Sequence, residues 1–327
     1  MANGFSAQWL AGRMRMGWTG SKGAHMKCHR NLTFGFALIL GLSAFAVVAN
    51  AQQGPAISVK SVSDGVYWAN AGGGGNAGFI IGRDGVIVVD ATIAPSSGKQ
   101  MLAEIAKLTP KPVTTVILTH SDADHVNGLA AFPPGLTIIA HEDCKKDIQA
   151  TANSRNPSPQ DRLPNKTLTK SESLTINGVR VNVLHFAPAH TSGDLQVYLP
   201  EQKIVFTGDV IATSCCGNVR APQAYTMIKE QKNGSAEGWV QTVKGLLALN
   251  ADSYVPGHGD LQTKADVQQR LARVEARREQ VKKMVAEGKS LEQVKQALGE
   301  TGPAPGYDLA QFPDFTTVVY TEFTKKR

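Results

Sequence analysis

Cysteine is scarce in this chain of 327 residues, which contains only four. One of them, Cys28, lies in a basic N-terminal segment, and three others follow it: Cys144, Cys215 and Cys216. An odd number with two adjacent members does not form a spaced disulfide framework. The composition therefore excludes a small disulfide-held domain, and an apolar content of 42% predicts a packed globular protein.

Acidic residues are absent from the first 51 positions, which contain five Lys or Arg residues. The whole chain has 34 basic and 27 acidic residues, a formal charge of +7, so the remainder has 29 basic against 27 acidic residues, or +2. The basic character therefore belongs to the N-terminal segment. The nearly neutral remainder argues against nucleic acid as a partner.

The N-terminal segment has the order of a secretory signal. Lys27 and Arg30 precede an uncharged and mainly apolar run at residues 32–48, and Ala49-Asn50-Ala51 has the small-x-small pattern after which signal peptidase cuts. We therefore predict cleavage after Ala51, a periplasmic or secreted protein, and no stable membrane span after cleavage. An N-terminal anchor is the alternative, because the run is near the minimum length of a membrane span.

Two common catalytic motifs are also missing. No Gly-x-Ser-x-Gly segment marks a serine nucleophile, and the glycine run at residues 72–75 lacks the lysine of a phosphate loop. We expect this run to form a turn at the rim of the active site. Since the sequence shows no long linker, we predict one main domain over residues 52–263, with a helical extension over residues 264–327 packed on it.

Alternating strand and helix signals predict an α/β layered fold. The segments at residues 86–89 and 113–119 are rich in β-branched apolar residues, as buried strands are, and residues 95–108 between them have helical spacing. Asn177-Gly178 is a typical turn between two hairpin strands.

Histidine and aspartate are concentrated where predicted strands end. Four candidates fall within six residues directly after one strand, and three more each follow a later strand. Converging imidazole and carboxylate groups are ligands for divalent metals, and strand ends are where α/β folds assemble sites. Any one of them alone is more simply a core or cap residue, but the ordered set predicts a metal centre. The seven candidates are His120, Asp122, Asp124, His125, His190, Asp209 and His258.

These ordered motifs resemble those of the metallo-β-lactamase superfamily over about residues 59–259. The Phe-Thr-Gly-Asp segment that ends at Asp209 and the Pro-Gly-His-Gly segment around His258 are especially similar to the glyoxalase II-like branch. The resemblance implies a four-layer αβ/βα sandwich, with a C-terminal helical extension here, and a site in the cleft between two sheets. It also implies a small-molecule substrate and two divalent metal ions, with zinc favoured.

The resemblance also assigns the ligands. Asp209 would bridge the two ions, while Asp90, which matches the first motif, would have a supporting role rather than bind metal. The first ion would lie on His120, Asp122 and His190, and the second on Asp124, His125 and His258.

Asp122 departs from the family pattern, which commonly has histidine at this place. A carboxylate is a harder ligand and adds a negative charge, which favours iron or manganese as alternatives to zinc. The flavodiiron branch carries a glutamate here, but this sequence has no flavodoxin-like partner domain.

The family resemblance implies a hydrolase acting on a small ester, thioester, lactone or lactam through a metal-bridging hydroxide, with β-lactams among the candidates, and the N-terminal segment predicts that it is exported. Asp124 would orient the nucleophile and is the catalytic candidate. Two alternatives stay open: an iron redox enzyme, motivated by Asp122, and a non-catalytic metal-binding accessory protein.

Four further residues have weaker signals. We expect Cys215 and Cys216 to be a plain thiol pair, with a vicinal disulfide or metal binding as alternatives. We expect His185 to have a buried supporting or core role, and His141, beside Glu142, to be a surface or cap residue.

Overall fold

The computed structural model describes residues 56–70, 74–213, 226–300 and 313–325. The predicted signal peptide, the first two glycines of the glycine run, Cys215 and Cys216 lie outside these residues, so the predictions about them stay predictions. Among the described residues, no helix is both long and apolar enough to cross a membrane.

The first sheet has seven strands that lie side by side in chain order. Its centre is built from Val86–Val89, in which every side chain is buried, paired in parallel with the next strand. Buried β-branched runs of this kind are typical of a strand covered on both faces. The strands are β1 Ser58–Ser63, β2 Val66–Asn70, β3 Ala77–Ile81, β4 Val86–Val89, β5 Val113–Ile117, β6 Thr137–His141 and β7 Lys166–Leu168.

The second sheet has six strands in the reverse order of the chain, β13 to β8. Asn177 and Gly178 both have positive φ, 52° and 79°, so they form the predicted hairpin turn between β8 and β9. The strands are β8 Glu172–Ile176, β9 Val179–Leu184, β10 Gln196–Leu199, β11 Ile204–Ala212, β12 Ser253–His258 and β13 Gln262–Thr263.

Helices cover the outer face of each sheet. Met101 and Ile105, one turn apart on the first helix, pack into the core beneath the first sheet, and Trp239 centres the core beneath the second. Val274 joins this second core, so the helices after residue 263 pack on the same sheet. The helices in the described residues are α1 Pro95–Leu108, α2 Ala123–Val126, α3 Glu142–Ala150, α4 Ala236–Ala248, α5 Lys264–Ala286, α6 Leu291–Ala297 and α7 Phe315–Lys325.

A third apolar core joins the two sheets face to face. Ile87 and Ile117 come from the first sheet, and Val183 and Phe206 from the second. The order of layers is therefore helix, sheet, sheet, helix, which confirms the predicted αβ/βα sandwich with C-terminal helices.

Candidate metal centre

The seven predicted residues come together at one edge of the two sheets. The nitrogen and carboxylate oxygen atoms of His120, Asp122, His190 and Asp209 lie within 4.8 Å of one another, and so do those of Asp124, His125 and His258. A third group with the same spacing joins Asp90 to His120 and His125. We call His120, Asp122 and His190 position one, and Asp124, His125 and His258 position two. Asp209 lies between the two positions.

The strands deliver these side chains much as the sequence indicates, with one difference at Asp209. The sequence predicts that Asp209 follows a strand, whereas β11 continues to Ala212 and includes this residue. Gly208 has a φ of 54°, and the register with β12 shifts there. This bend inside the strand, rather than a strand end, directs Asp209 toward the cluster, because glycine adopts positive φ without steric cost.

Position one is fully buried. Nε2 of His190 lies 3.0 Å from Oδ2 of Asp122, and Nε2 of His120 lies 3.4 Å from the same oxygen. Oδ2 of Asp209 is 3.7 Å from His120 and 3.8 Å from His190. The four candidate ligand atoms thus surround one small central volume.

Position two has the same dimensions and opens toward solvent at one residue. Nε2 of His258 lies 3.1 Å from Oδ2 of Asp124 and 3.4 Å from Nε2 of His125. Nε2 of His125 lies 3.2 Å from Oδ1 of Asp209. The side chain of Asp124 is 26% exposed, whereas that of His258 is 10% exposed and that of His125 is fully buried.

Both groups fit a bound metal ion. A tetrahedral ion with ligands at about 2.1 Å separates neighbouring ligand atoms by about 3.4 Å, close to the distances above. Two atoms in the centre, Nε2 of His120 and Oδ1 of Asp209, are buried and make no hydrogen bond to the described residues. Buried polar atoms without a hydrogen bond are costly, and a metal ion would satisfy both.

Asp90 lies behind His125 and contacts both this ring and Thr119. Its Oδ2 accepts a hydrogen bond from the Thr119 hydroxyl at 2.7 Å and lies 2.9 Å from Nδ1 of His125. Its Oδ1 accepts a hydrogen bond from the Thr119 backbone N–H. A carboxylate behind a ligating histidine fixes the ring and leaves Nε2 as the donor atom for metal.

Two lysines contact Asp122, and the sequence interpretation did not identify them. The ammonium of Lys229 contacts Oδ2 of Asp122, and that of Lys232 lies 2.8 Å from Oδ1 and from the Ser121 hydroxyl. They stand more than 100 positions after Asp122 and follow no motif. A buried carboxylate is charged, whereas a histidine at the same position can be neutral, so Asp122 requires cationic partners. That requirement is the one feature of the sequence that could have pointed to nearby lysines.

Glycines let other parts of the chain approach the cluster closely. A Cβ on Gly75 would lie 2.2 Å from Nε2 of His125, and one on Gly257 would lie 2.0 Å from Oδ1 of Asp209. The described part of the glycine run therefore lies at the rim of the site, as expected.

The weaker histidine candidates form a separate pair. His141 caps α3 by accepting a hydrogen bond from the Asp143 backbone, but its side chain is buried and stacks on His185 with 4.4 Å between ring centroids. The cap role is confirmed, whereas the surface position is wrong because His185 covers the ring. Nδ1 of His185 lies 2.9 Å from the Asp194 carbonyl oxygen. Neither ring belongs to the metal groups.

The electrostatics of the cluster couple histidines to carboxylates. Burial lowers the pKa of His258, but the carboxylates of Asp209 and Asp124 outweigh it and raise that pKa to about 9. Burial opposes ionisation of Asp124, yet His125 and His258 lower its pKa to about 2. The pKa of His190 is raised too, against the effect of burial, by its hydrogen bond to Asp122.

Metal binding should therefore release protons at neutral pH. The pKa of His258, raised to about 9, means that this ring holds a proton at pH 7 without metal, and a metal ligand must be neutral imidazole. We expect at least about one proton released per chain on saturation with zinc at pH 7. Calorimetric titration in two buffers of different ionisation enthalpy measures this number. A binding heat that is independent of the buffer would contradict the prediction.

A four-layer sandwich with buried His and Asp groups at one edge of its sheets is the architecture of a class of metal-dependent hydrolases. The family model described as the metallo-beta-lactamase superfamily matches residues 70–258. The chain belongs to that superfamily, which confirms the resemblance seen in its motifs.

Individual relatives are distant. The chain is 29% identical over 204 residues to the 2,4-dinitroanisole O-demethylase subunit alpha of Nocardioides sp., covering 61% of this chain and 55% of that protein. It is 24% identical over 246 residues to a metallo-beta-lactamase type 2 of Elizabethkingia meningoseptica, covering 72% and 92%. The solved inverting sec-alkylsulfatase of Pseudomonas sp. has a TM-score of 0.62 at 15% identity, covering 82% of this chain and 50% of that one. The chain thus spans about half the length of the demethylase subunit, and the alkylsulfatase likeness shows the fold alone.

Proposed function

We propose that this protein is an exported hydrolase that uses two divalent metal ions, with zinc favoured, to cleave a small ester, thioester, lactone or lactam. The observation that carries the proposal is the pair of His and Asp groups on either side of Asp209, whose oxygens lie 3.2 Å from Nε2 of His125 and 3.7 Å from Nε2 of His120. Each has metal-sized spacing, and together they include two buried atoms that make no hydrogen bond to the part of the chain that the structure describes. Structural metal sites need no second position and no exposed ligand, whereas both are useful in catalysis.

Positions one and two would each hold one ion, with Asp209 between them. Divalent ions bound there would lower the pKa of water from about 15.7 toward about 7 and would polarise the carbonyl of the substrate. Asp90 holds His125 in the orientation that presents Nε2 to position two. Thr119 donates to Asp90 and lies 2.9 Å from Nδ1 of His120, so one buried network orients a ligand of each position.

Asp124 is the side chain best placed to act on the nucleophile. It is the most exposed of the seven residues, and its low pKa of about 2 keeps it ionised at neutral pH. An ionised carboxylate at the mouth accepts a hydrogen bond from a water molecule and directs the oxygen lone pair toward the substrate. The other ligands are too buried for this role.

An exposed apolar side chain, that of Ile93, lies near position two. Ile93 is 40% exposed, and its side chain packs against Gly74, next to the glycine that touches His125. Exposed apolar surface beside a polar centre suits the hydrocarbon part of a small organic substrate. β-Lactams stay among the candidates, since a relative carries that name.

The alternative with iron at the centre rests on the charge of Asp122, and the lysines weaken it. Lys229 and Lys232 offset the negative charge that Asp122 adds to the centre, which weakens the argument that this charge selects a harder metal than zinc. Elemental analysis of protein purified from its own host distinguishes the two: zinc supports the hydrolase, and two irons per chain favour the redox enzyme.

The function is tested with metal-stripped protein that begins at Gln52, reconstituted with zinc, manganese or iron. We expect hydrolysis of at least one member of a panel of thioesters, lactones, carboxylic and sulfate esters and β-lactams. The activity should disappear with a chelator and return with metal. Tight metal binding without turnover of any panel member would instead favour a non-catalytic accessory protein.

Export is a separate part of the proposal and needs its own measurement. The basic start, apolar run and small residues before Gln52 support it. N-terminal sequencing of the protein from the periplasmic or extracellular fraction should begin at Gln52. A cytoplasmic protein in which the N-terminal segment from residue 27 is still present would contradict the proposed export.

A further inference from the structure

The two metal positions differ in the charge that surrounds them. Both oxygens of Asp122 in position one contact lysine ammonium groups, whereas the carboxylate of Asp124 in position two contacts only histidine among the ion pairs of the described residues. We propose that Lys229 and Lys232 make position one the weaker metal site, so that the protein fills position two first. The proposal rests on the metal-binding role of the cluster and not on any hydrolysis.

The contact with Lys229 involves the oxygen that a metal would use. Oδ2 of Asp122 is the atom that faces His120 and His190, and the ammonium of Lys229 contacts this same atom. A carboxylate oxygen that donates electron density to an ammonium is a poorer donor to a metal ion. The adjacent positive charge also repels a divalent cation, and burial strengthens that repulsion.

Lys232 adds a second positive charge on the other oxygen. Its ammonium lies 2.8 Å from Oδ1 of Asp122 and 2.8 Å from the Ser121 hydroxyl, which donates to Asp147. The side chains of Lys229 and Lys232 are only 12% and 22% exposed, so water and salt screen them poorly.

The backbone holds both lysines where they are. The N–H of Lys229 donates to the carbonyl of His190, a ligand of position one, at 2.8 Å. The carbonyl of Lys232 accepts from the N–H of Ser192 at 2.9 Å, and that of Lys229 accepts from Gly234. These bonds fix the lysine segment to the loop that carries His190, so the charges are part of the site rather than mobile surface groups.

The groups behind the histidines have the same asymmetry. Nδ1 of His125 in position two lies 2.9 Å from the carboxylate of Asp90. In position one, Nδ1 of His120 contacts the Thr119 hydroxyl and Nδ1 of His190 the Met227 carbonyl, both at 2.9 Å and both uncharged. A carboxylate partner makes imidazole a stronger ligand than a neutral partner does, so this contrast also favours position two.

Stepwise zinc titration of the metal-free protein against a competing chelator tests the order. We expect two dissociation constants that differ by at least about tenfold, equivalent to about 1.4 kcal/mol. Asp124→Asn should remove the tighter event, and Asp122→Asn should remove the weaker one. Crystals of the wild type with one equivalent of zinc should show anomalous density at position two alone, a readout that needs no variant.

The lysine variants test the cause. Lys229→Met and Lys232→Met keep most of the side-chain length and remove the charge, so each should tighten the weaker event by about tenfold and leave the tighter one unchanged. Lys244→Met is the matched control, because Lys244 is exposed and pairs with Glu275 on the outer helices. Thermal melting of each variant shows whether it is folded.

The outcomes separate this inference from the proposed function. Two equal dissociation constants, density first at position one, or lysine variants that leave the weaker event unchanged or weaken it would overturn the inference while a hydrolase remained. Failure of the wild type to bind zinc, manganese or iron at these residues would overturn the metal role itself and the proposed function with it.

Discussion

Asp209→Asn should lower the affinity for both metal ions by more than about 100-fold and reduce hydrolysis by at least as much, because loss of a ligand costs more than the 10- to 100-fold loss of a supporting partner. Asp209 is the residue that both positions share, with oxygens 3.2 Å from His125 and 3.7 Å from His120. The amide has nearly the same size but is neutral and presents one oxygen instead of two. Metal content by elemental analysis and turnover of the best panel substrate measure the effect.

The matched control is Asp252→Asn. Asp252 is an exposed carboxylate next to β12 whose ion pair with Lys203 is 3.7 Å long. Exposed ion pairs contribute little to stability, so this variant should keep its metal and its activity. If Asp209→Asn stays folded and retains both ions at wild-type affinity, Asp209 does not bind them.

Gly75→Ala should lower the affinity of position two by about 100-fold, although Gly75 binds no metal. A Cβ there would lie 2.2 Å from Nε2 of His125, a separation that real atoms do not adopt, so the ring or the backbone must move. The backbone is restrained by neighbouring Asn76. Its side-chain amide donates to the carbonyls of Pro256 and Gly259, and its backbone N–H donates to the carbonyl of Gly257. We therefore expect the ring of His125 to move.

Gly288→Ala is the control for this substitution. Gly288 has a φ of 78° and no atom within 4 Å of an added Cβ, so alanine there costs backbone free energy far from the centre. We expect a small loss of thermal stability with unchanged metal affinity. Zinc titration of both variants makes the comparison. Wild-type affinity at position two in Gly75→Ala would show that the backbone at residue 75 moves and the ring of His125 does not.

The fold and the seven clustered residues could be predicted from the sequence because each signal is local. The four apolar residues Val86–Val89 predict a buried strand without further information. The six-residue segment from His120 to His125, which contains four of the candidates, directly follows the next strand. The motif order then identifies the family, which the family model over residues 70–258 confirms. Their roles as metal ligands stay predictions until metal is measured.

Other features could not be predicted from the sequence, because they depend on contacts between residues that are far apart along the chain. Lys229 and Lys232 meet Asp122 only after the second sheet packs against the first, so spacing along the chain did not reveal them. The burial of His141 depends on His185, which comes from the other sheet's side of the cleft. The extension of β11 past Gly208 depends on pairing with β12, and the paired residues, such as Gly208 and Pro256, are far apart in the sequence.

The asymmetry of the two positions gives the departure at Asp122 a physical meaning. Replacement of a neutral ligand by a carboxylate would add negative charge to a buried site, but two lysines reverse the sign of that change. The site therefore combines a family-like second position with an unusual first one. Substrate preference and metal dependence should both follow from how readily the first position fills.

The most direct test of the two-metal centre is anomalous diffraction from crystals of the protein saturated with zinc. We predict two peaks per chain on either side of Asp209, one with ligands from His120, Asp122 and His190 and the other with ligands from Asp124, His125 and His258. Zinc at another place, or no peak at these residues under saturating zinc, would contradict the account.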